Sequence, residues 1–250
     1  MRSFWLAWQF LSQLPAPRQA EPTAQQIAAS LLWYAPIGLL LGGLLFAAAW
    51  LLGDQPSLLA AALVLLGWIA LTGILHLDGL ADCADAWVGG HGDKARSLAI
   101  MKDPACGPAG VVALVLLLLL KFAALVALLE QGLLWPLLCI PMLSRALLPL
   151  LFLSTPYVRA GGLGATMAEQ LPRRASWLVL AGILLLVLVT PLLWPSWMPL
   201  LWLLALVAVL VFALVRRASM RRLDGFTGDV AGALVVITEV VLLLVCAFVV

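Results

Sequence analysis

Apolar residues run along this chain in long blocks, separated by short polar stretches, with little of the alternation expected of strands. Residues 22–53 carry no ionisable charge, and neither do residues 175–215. A run of about 20 apolar residues suffices to cross the hydrocarbon core of a bilayer. The blocks predict seven transmembrane helices over residues 30–52, 57–75, 108–129, 133–153, 174–193, 197–215 and 231–250. Pro191, Pro195 and Pro199 lie between the fifth and sixth and predict a tight turn there. Residues 1–14 are apolar, with Trp5 and Trp8, and lead into Pro-Ala-Pro without a small-residue cleavage site. They predict an interfacial amphipathic helix in place of a signal peptide. Residues 15–29, rich in Pro, Gln and Ala, read as a polar connection. The fold class expected is all-α: one polytopic membrane domain over 1–250, with 1–29 as interfacial helix and linker and 76–107 as the main polar loop.

Composition sharpens the class. Of 250 residues, 65% are hydrophobic and 10% charged, against roughly 25% charged in a soluble domain. Cys83, Cys106, Cys139 and Cys246 form no CxxC pair, which argues against a disulfide framework. The basic residues are not interleaved with exposed aromatics, so no nucleic-acid partner is expected. Their distribution does set an orientation. With the N-terminus in the cytoplasm, every Lys and Arg except Lys121 and Arg145 falls on the inside, and the external loops 53–56, 130–132 and 190–198 hold none. The polar stretches 76–107, 154–173 and 216–230 then share one cytoplasmic face.

The chemistry concentrates between His76 and Gly110, which hold both histidines and five of the twelve carboxylates. Asp78, Asp82 and Asp85 are spaced i, i+4, i+7, within about 60° of one helix face. Three anions on one stripe repel, and a shared cation relieves that repulsion. Oxygen donors suit Mg²⁺ or Mn²⁺ better than zinc. The stripe therefore reads as a metal site that polarises a diphosphate, with a solvated helix end as the plain alternative. His76 reads as a phosphate donor, a base, or a satisfied interfacial side chain. Gly89-Gly90-His91-Gly92 lets backbone approach phosphate, Lys102 offers a point charge, and Asp103 either completes the metal shell or caps the next helix.

A second cluster follows the sixth span. Arg216, Arg217, Arg221 and Arg222 fit the positive-inside pattern, and Gly225, Gly228, Asp229 and Gly232 suggest a compact turn with an anion or metal partner. Arg145 lies mid-span and is expected to face the bundle interior, paired with Glu239 or an aspartate. Lys121 is expected to snorkel. Arg159, within a Tyr-Val-Arg-Ala-Gly-Gly-Leu-Gly stretch, is a candidate phosphate ligand.

The stretches HLDGLADCADAWVGG, IMKDPACGPAG, YVRAGGLG and GFTGDVAGA…TE, with the isolated Arg145, resemble the cobalamin synthase (adenosylcobinamide-GDP ribazoletransferase) family over nearly the whole chain. Ser12-Gln13 and Ala86 depart from its usual pattern, outside the carboxylate triplet. The resemblance implies that adenosylcobinamide-GDP is joined to α-ribazole or its 5′-phosphate with release of GMP, in the presence of Mg²⁺. It implies a bacterial inner-membrane protein with its active site on the cytoplasmic side. Partners expected are the two substrates, the lipid bilayer, and other corrinoid-pathway proteins or a second copy of the chain. Asp78, Asp82 and Asp85 would hold metal, with one of them or His76 as base. Lys102, Arg145 and Arg159 would steady phosphates, and Asp103, Gly228, Asp229 and Glu239 would complete the substrate site. The rivals are a CDP-alcohol phosphotransferase, weakened by the missing Arg after Asp78-Gly79, and a secondary transporter, weakened by carboxylates gathered in one loop instead of at the midplane. A membrane scaffold would leave the triplet unexplained.

Overall fold

A computed structural model describes residues 1–18, 21–193 and 198–249. Twelve helices are described: α1 (Arg2–Leu11), α2 (Ala24–Ala29), α3 (Tyr34–Leu51), α4 (Ser57–Thr72), α5 (Leu75–Gly89), α6 (Lys94–Ile100), α7 (Pro108–Glu130), α8 (Pro136–Ser154), α9 (Gly162–Glu169), α10 (Arg173–Leu193), α11 (Met198–Leu223) and α12 (Gly228–Val249). A 3₁₀ turn, Ser30–Trp33, joins α2 to α3. No strand occurs among the described residues, whose β pairing is limited to one isolated bridge between Tyr157 and Phe226.

Six of these stretches are long and apolar enough to cross a membrane, and α4 with α5 forms a further pair bent by 91°. At 1.5 Å per residue α4 reaches about 24 Å, most of a hydrocarbon core of roughly 30 Å. We read α4 as the seventh crossing and α5 as turned out of it. The seven crossings correspond to the seven blocks of the sequence. The turn expected at 194–197 lies outside the described residues.

Side-chain size decides which crossings are central. α8 and α12 are largely enclosed, whereas α10 and α7 expose most of their apolar surface to lipid. α3 lies directly on α8, because Gly38 and Gly42 meet the backbone of Pro141 and Leu138 where any Cβ would collide. α1 packs one face on the bundle: Ala7 and Leu11 are fully buried against Leu31, Ile37 and Leu148 in a second apolar cluster.

Three boundaries differ from the sequence expectation. Residues 76–107 are mostly helical, as α5 and α6. Part of the polar connection is also helical, since a capping box between Thr23 and Gln26 starts α2. The sixth crossing runs on through Arg216–Arg222 to Leu223, as Arg and Met are good helix formers and long guanidinium stems reach polar partners from a helix. Arg216 donates to the Ser154 carbonyl at 2.8 Å and Arg222 to that of Trp87 at 2.7 Å. They satisfy the open C-terminal carbonyls of α8 and α5.

Lys121 does not snorkel. Its Nζ lies 2.6 Å from Glu239 Oε2 and 3.6 Å from the centroid of the Trp68 ring, and Arg145 binds the other Glu239 oxygen. All three are buried, at 4%, 1% and 3% exposure for Lys121, Arg145 and Glu239. Two cations around one anion leave a net positive charge within the bundle. Removing the anion strands both cations, at a cost of about 3–5 kcal/mol. Lys121→Met leaves the neutral Arg145–Glu239 pair. Glu239→Gln should therefore cut accumulation of folded protein and its thermal midpoint far more than Lys121→Met, as read by fluorescence size-exclusion chromatography after a heat step. Equal losses would contradict the central place of Glu239.

Candidate active site

The site begins with a close helix contact. Gly73, at φ +68°, ends α4 and lets the chain turn into α5. α5 then crosses the first turn of α12 with Gly79 at the contact, where a Cβ would come within 2.7 Å of the Asp229 carbonyl oxygen. This approach sets Asp78 and Asp82, one turn apart, beside Asp229. Three carboxylates thus gather at one end of the bundle.

Arg159 reaches the same place by another route. Val158 N–H donates to the Phe226 carbonyl at 3.0 Å and Phe226 N–H to that of Pro156 at 2.9 Å. This short pairing fastens the 155–161 segment to the loop that opens α12. Phe226 packs edge-on against Phe152 and Tyr157, at centroid distances of 4.9 and 5.2 Å. The Arg159 guanidinium therefore donates to both Asp229 carboxylate oxygens, at 3.1 and 3.2 Å, and to the Met101 carbonyl at 3.2 Å. Thr227 Oγ1 adds a third donor to Asp229 at 3.2 Å.

A single Arg does not balance the group. Partial burial, followed by the charges of Asp78 and Asp229, pushes the Asp82 carboxyl up to about 6. Unneutralised carboxylate density of this kind fits a hard divalent cation. Mg²⁺ commonly takes only one or two protein carboxylates and completes its shell with water and substrate phosphate. Asp78 and Asp82 supply such a pair, with oxygen donors only.

The expected three-carboxylate cage is not present. Asp85 turns away from Asp78 and Asp82 and accepts from Gly107 N–H at 2.7 Å and Gly110 N–H at 2.9 Å. It serves the open amides at the start of α7, where the helix dipole also favours an anion. Among the described residues, no three His, Cys, Asp or Glu side chains are grouped closely enough to hold a metal by themselves.

Other expected residues disperse. Asp103 caps neither metal nor α7; it accepts from Ala105 N–H at 2.9 Å and closes a local turn. Lys102 is exposed. Arg145 and Lys121 are both spent on Glu239, within the bundle, away from the carboxylates at its end. His76 is buried at 6% exposure, with its Cα 3.2 Å from where a Gly232 Cβ would lie. It stands between the ion cluster and the cavity next described.

That cavity, of about 450 Å³, opens beside the carboxylates. Asp78, Arg159, Gly228 and Asp229 line its polar side, and Phe10, Tyr34, Phe152, Tyr157 and Met167 line much of the rest. The sequence reading missed these aromatic positions. A signal existed: the chain has only two tyrosines, and both are here.

The profile of the cobalamin-5-phosphate synthase family matches residues 3–247. The chain is 54% identical over 242 residues to the adenosylcobinamide-GDP ribazoletransferase of Ectopseudomonas mendocina, covering 97% of each. It is 52% identical over 248 residues to the enzyme of that name from Pseudomonas aeruginosa (99% of this chain, 98% of the relative). It is 49% identical over 243 residues to that of Acinetobacter baumannii (97% and 96%). No solved structure matches the chain.

The two aspartates Asp82 and Asp85 should separate in a stability measurement. Asp85→Ala strips the first turn of α7 of its acceptor and should cost about 1–2 kcal/mol. Asp82→Asn removes like-charge repulsion and should hold or raise the midpoint. Thermal unfolding of the purified variants reads both, and an unaltered midpoint for Asp85→Ala would remove its capping role.

Proposed function

This chain belongs to the cobalamin-5-phosphate synthase family, and from that premise we propose how it acts as an adenosylcobinamide-GDP ribazoletransferase. It joins adenosylcobinamide-GDP to α-ribazole, or to its 5′-phosphate, and releases GMP. One observation carries the assignment of roles: Asp78, Asp229 and Arg159 line one cavity at the end of the bundle that gathers the polar segments, and Asp82 stands within electrostatic reach of all three.

The reaction exchanges a phosphoanhydride bond for a phosphoester. A ribose hydroxyl oxygen of the acceptor bonds to the phosphorus that stays on the cobinamide. The bond from that phosphorus to the bridging oxygen breaks, and the bridging oxygen leaves on GMP. Asp78 and Asp82 are the residues that would hold Mg²⁺ against the diphosphate. An ion held there would supply charge neutralisation at the phosphate oxygens and at the departing nucleotide. Arg159 already touches the Met101 carbonyl and Asp229, so it can pivot within its reach to a phosphate oxygen. Asp229 faces the cavity from the first turn of α12 and accepts the hydroxyl hydrogen bond, then its proton. Gly228 leaves the approach to that turn open, since nothing lies within 4 Å of a Cβ built there.

The inner membrane and its cytoplasmic face are the proposed location, supported by the basic residues clustered at the end of the bundle that holds the site. The rival lipid and transport readings find no support in the family match.

Asp82→Asn should lower GMP release from adenosylcobinamide-GDP by at least about a hundredfold, roughly 2.7 kcal/mol in the barrier. Membrane insertion should be unchanged, and omission of Mg²⁺ should abolish wild-type turnover. The assay is timed GMP formation in membranes supplied with both substrates. Full turnover by Asp82→Asn would take that side chain out of the metal site.

A further inference from the structure

The two ends of the cavity differ in chemistry. Its polar end is the carboxylate–Arg159 group. An aromatic wall adjoins it: Phe10 and Tyr34, whose rings stack at 5.9 Å and 18°, and Phe152 and Tyr157, stacked at 6.2 Å and 9°, with Tyr157 reaching back to the Gly228 backbone beside Arg159 and Asp229. Leu148 and Met167 complete it. The Tyr34 hydroxyl is directed at the Met167 sulfur, 3.9 Å away. Apart from the Tyr34 and Tyr157 hydroxyls, the side chains of this wall are aromatic or aliphatic, so it offers few partners to a polar base edge.

Resting on the transferase reading above, we propose that the aromatic end is the seat of the acceptor's base, and that the donor nucleotide lies outside it. Guanine carries several donors and acceptors along its edge, more than two tyrosine hydroxyls can pair, and burying the remainder would be costly. A corrin macrocycle with its side chains is too large for about 450 Å³, a volume within the range of roughly 300–1,000 Å³ that encloses a small ligand. Ribazole is the substrate that matches: a riboside whose base is an apolar fused aromatic, read by shape and ring contact. With that base inward, its ribose lies toward Asp78 and Asp229. The phosphorus must then approach from the open, acidic side, as transfer between two separately bound substrates requires.

The seat is built partly from elements outside the crossings. Phe10 comes from α1, and Met167 and Leu163 from α9. Gly164 brings α9 close, because a side chain there would run into the Tyr157 ring.

The test uses membranes carrying the full chain, with Mg²⁺, adenosylcobinamide-GDP and either α-ribazole or an imidazole riboside lacking the fused ring. Phe10→Ala, on the half-open rim, and Ala231→Phe, which fills the cavity from α12, should each raise KM for α-ribazole roughly tenfold. KM for adenosylcobinamide-GDP should stay within about twofold. Ala231→Phe should also narrow or reverse the preference for the benzimidazole over the imidazole riboside, which a merely structural defect would not do. A rise in donor KM instead, or acceptor KM values unmoved in Phe10→Ala, would overturn the proposal. If Ala231→Phe fails to accumulate, Phe10→Ala decides. Wild-type membranes that release no GMP from these substrates would defeat the transferase reading itself, separately from the subsite.

Discussion

Glycine at position 79 lets α5 lie against the backbone of α12, and the acidic end of the molecule depends on that contact. Helices that carry full side chains at their contact sit 8–10 Å apart. At closer range, two chain segments far apart in sequence place Asp78, Asp82 and Asp229 within mutual electrostatic reach, and with partial burial that crowding pushes the Asp82 carboxyl up. Like charges do not gather unaided. Packing below them supplies the force, and the acids are held together because backbone and apolar contacts leave no room to part.

Below that layer the bundle handles charge in the opposite way. Glu239 is enclosed by Lys121 and Arg145, each with its own partner atom on the carboxylate. The acids at the end outnumber Arg159, the one cation among the described residues that touches them, whereas in the interior two cations share one anion. The cationic excess of the inner group also lies under the acidic layer, with His76 between them. Both arrangements follow from one rule of low-dielectric media: charge is either matched locally or displayed toward something that will match it.

Much of this was legible in the sequence. Seven crossings could be read from block hydrophobicity, because a bilayer forces each crossing to be long, apolar and helical. Asp78, Asp82, Arg159 and Asp229 were legible because polar residues beside apolar spans are few and conspicuous. What could not be read was direction. Asp85 belongs to the same i, i+4, i+7 stripe as the other two, yet it is captured by the start of α7, a partner 22 to 25 positions away. The stacked aromatic wall was hidden for a different reason. In a chain this apolar, Phe10 and Phe152 look like any other lipid-facing or core residue, and only the third dimension separates a lining position from a packing one.

The attachment of α1 has a practical side. The helix is held through Ala7, Leu11 and their apolar neighbours, with a backbone bond from Gln13 to Leu71 at 2.8 Å at its trailing end. Surfactant monomers compete for that kind of contact, since they offer the same hydrocarbon without the geometry. Solubilisation in short-chain detergents would prise α1 from the bundle and open one wall of the cavity while all seven crossings stayed intact. For this protein the choice of extraction medium is part of its tertiary structure, and nanodiscs or native lipid particles are the setting in which Phe10 keeps its place.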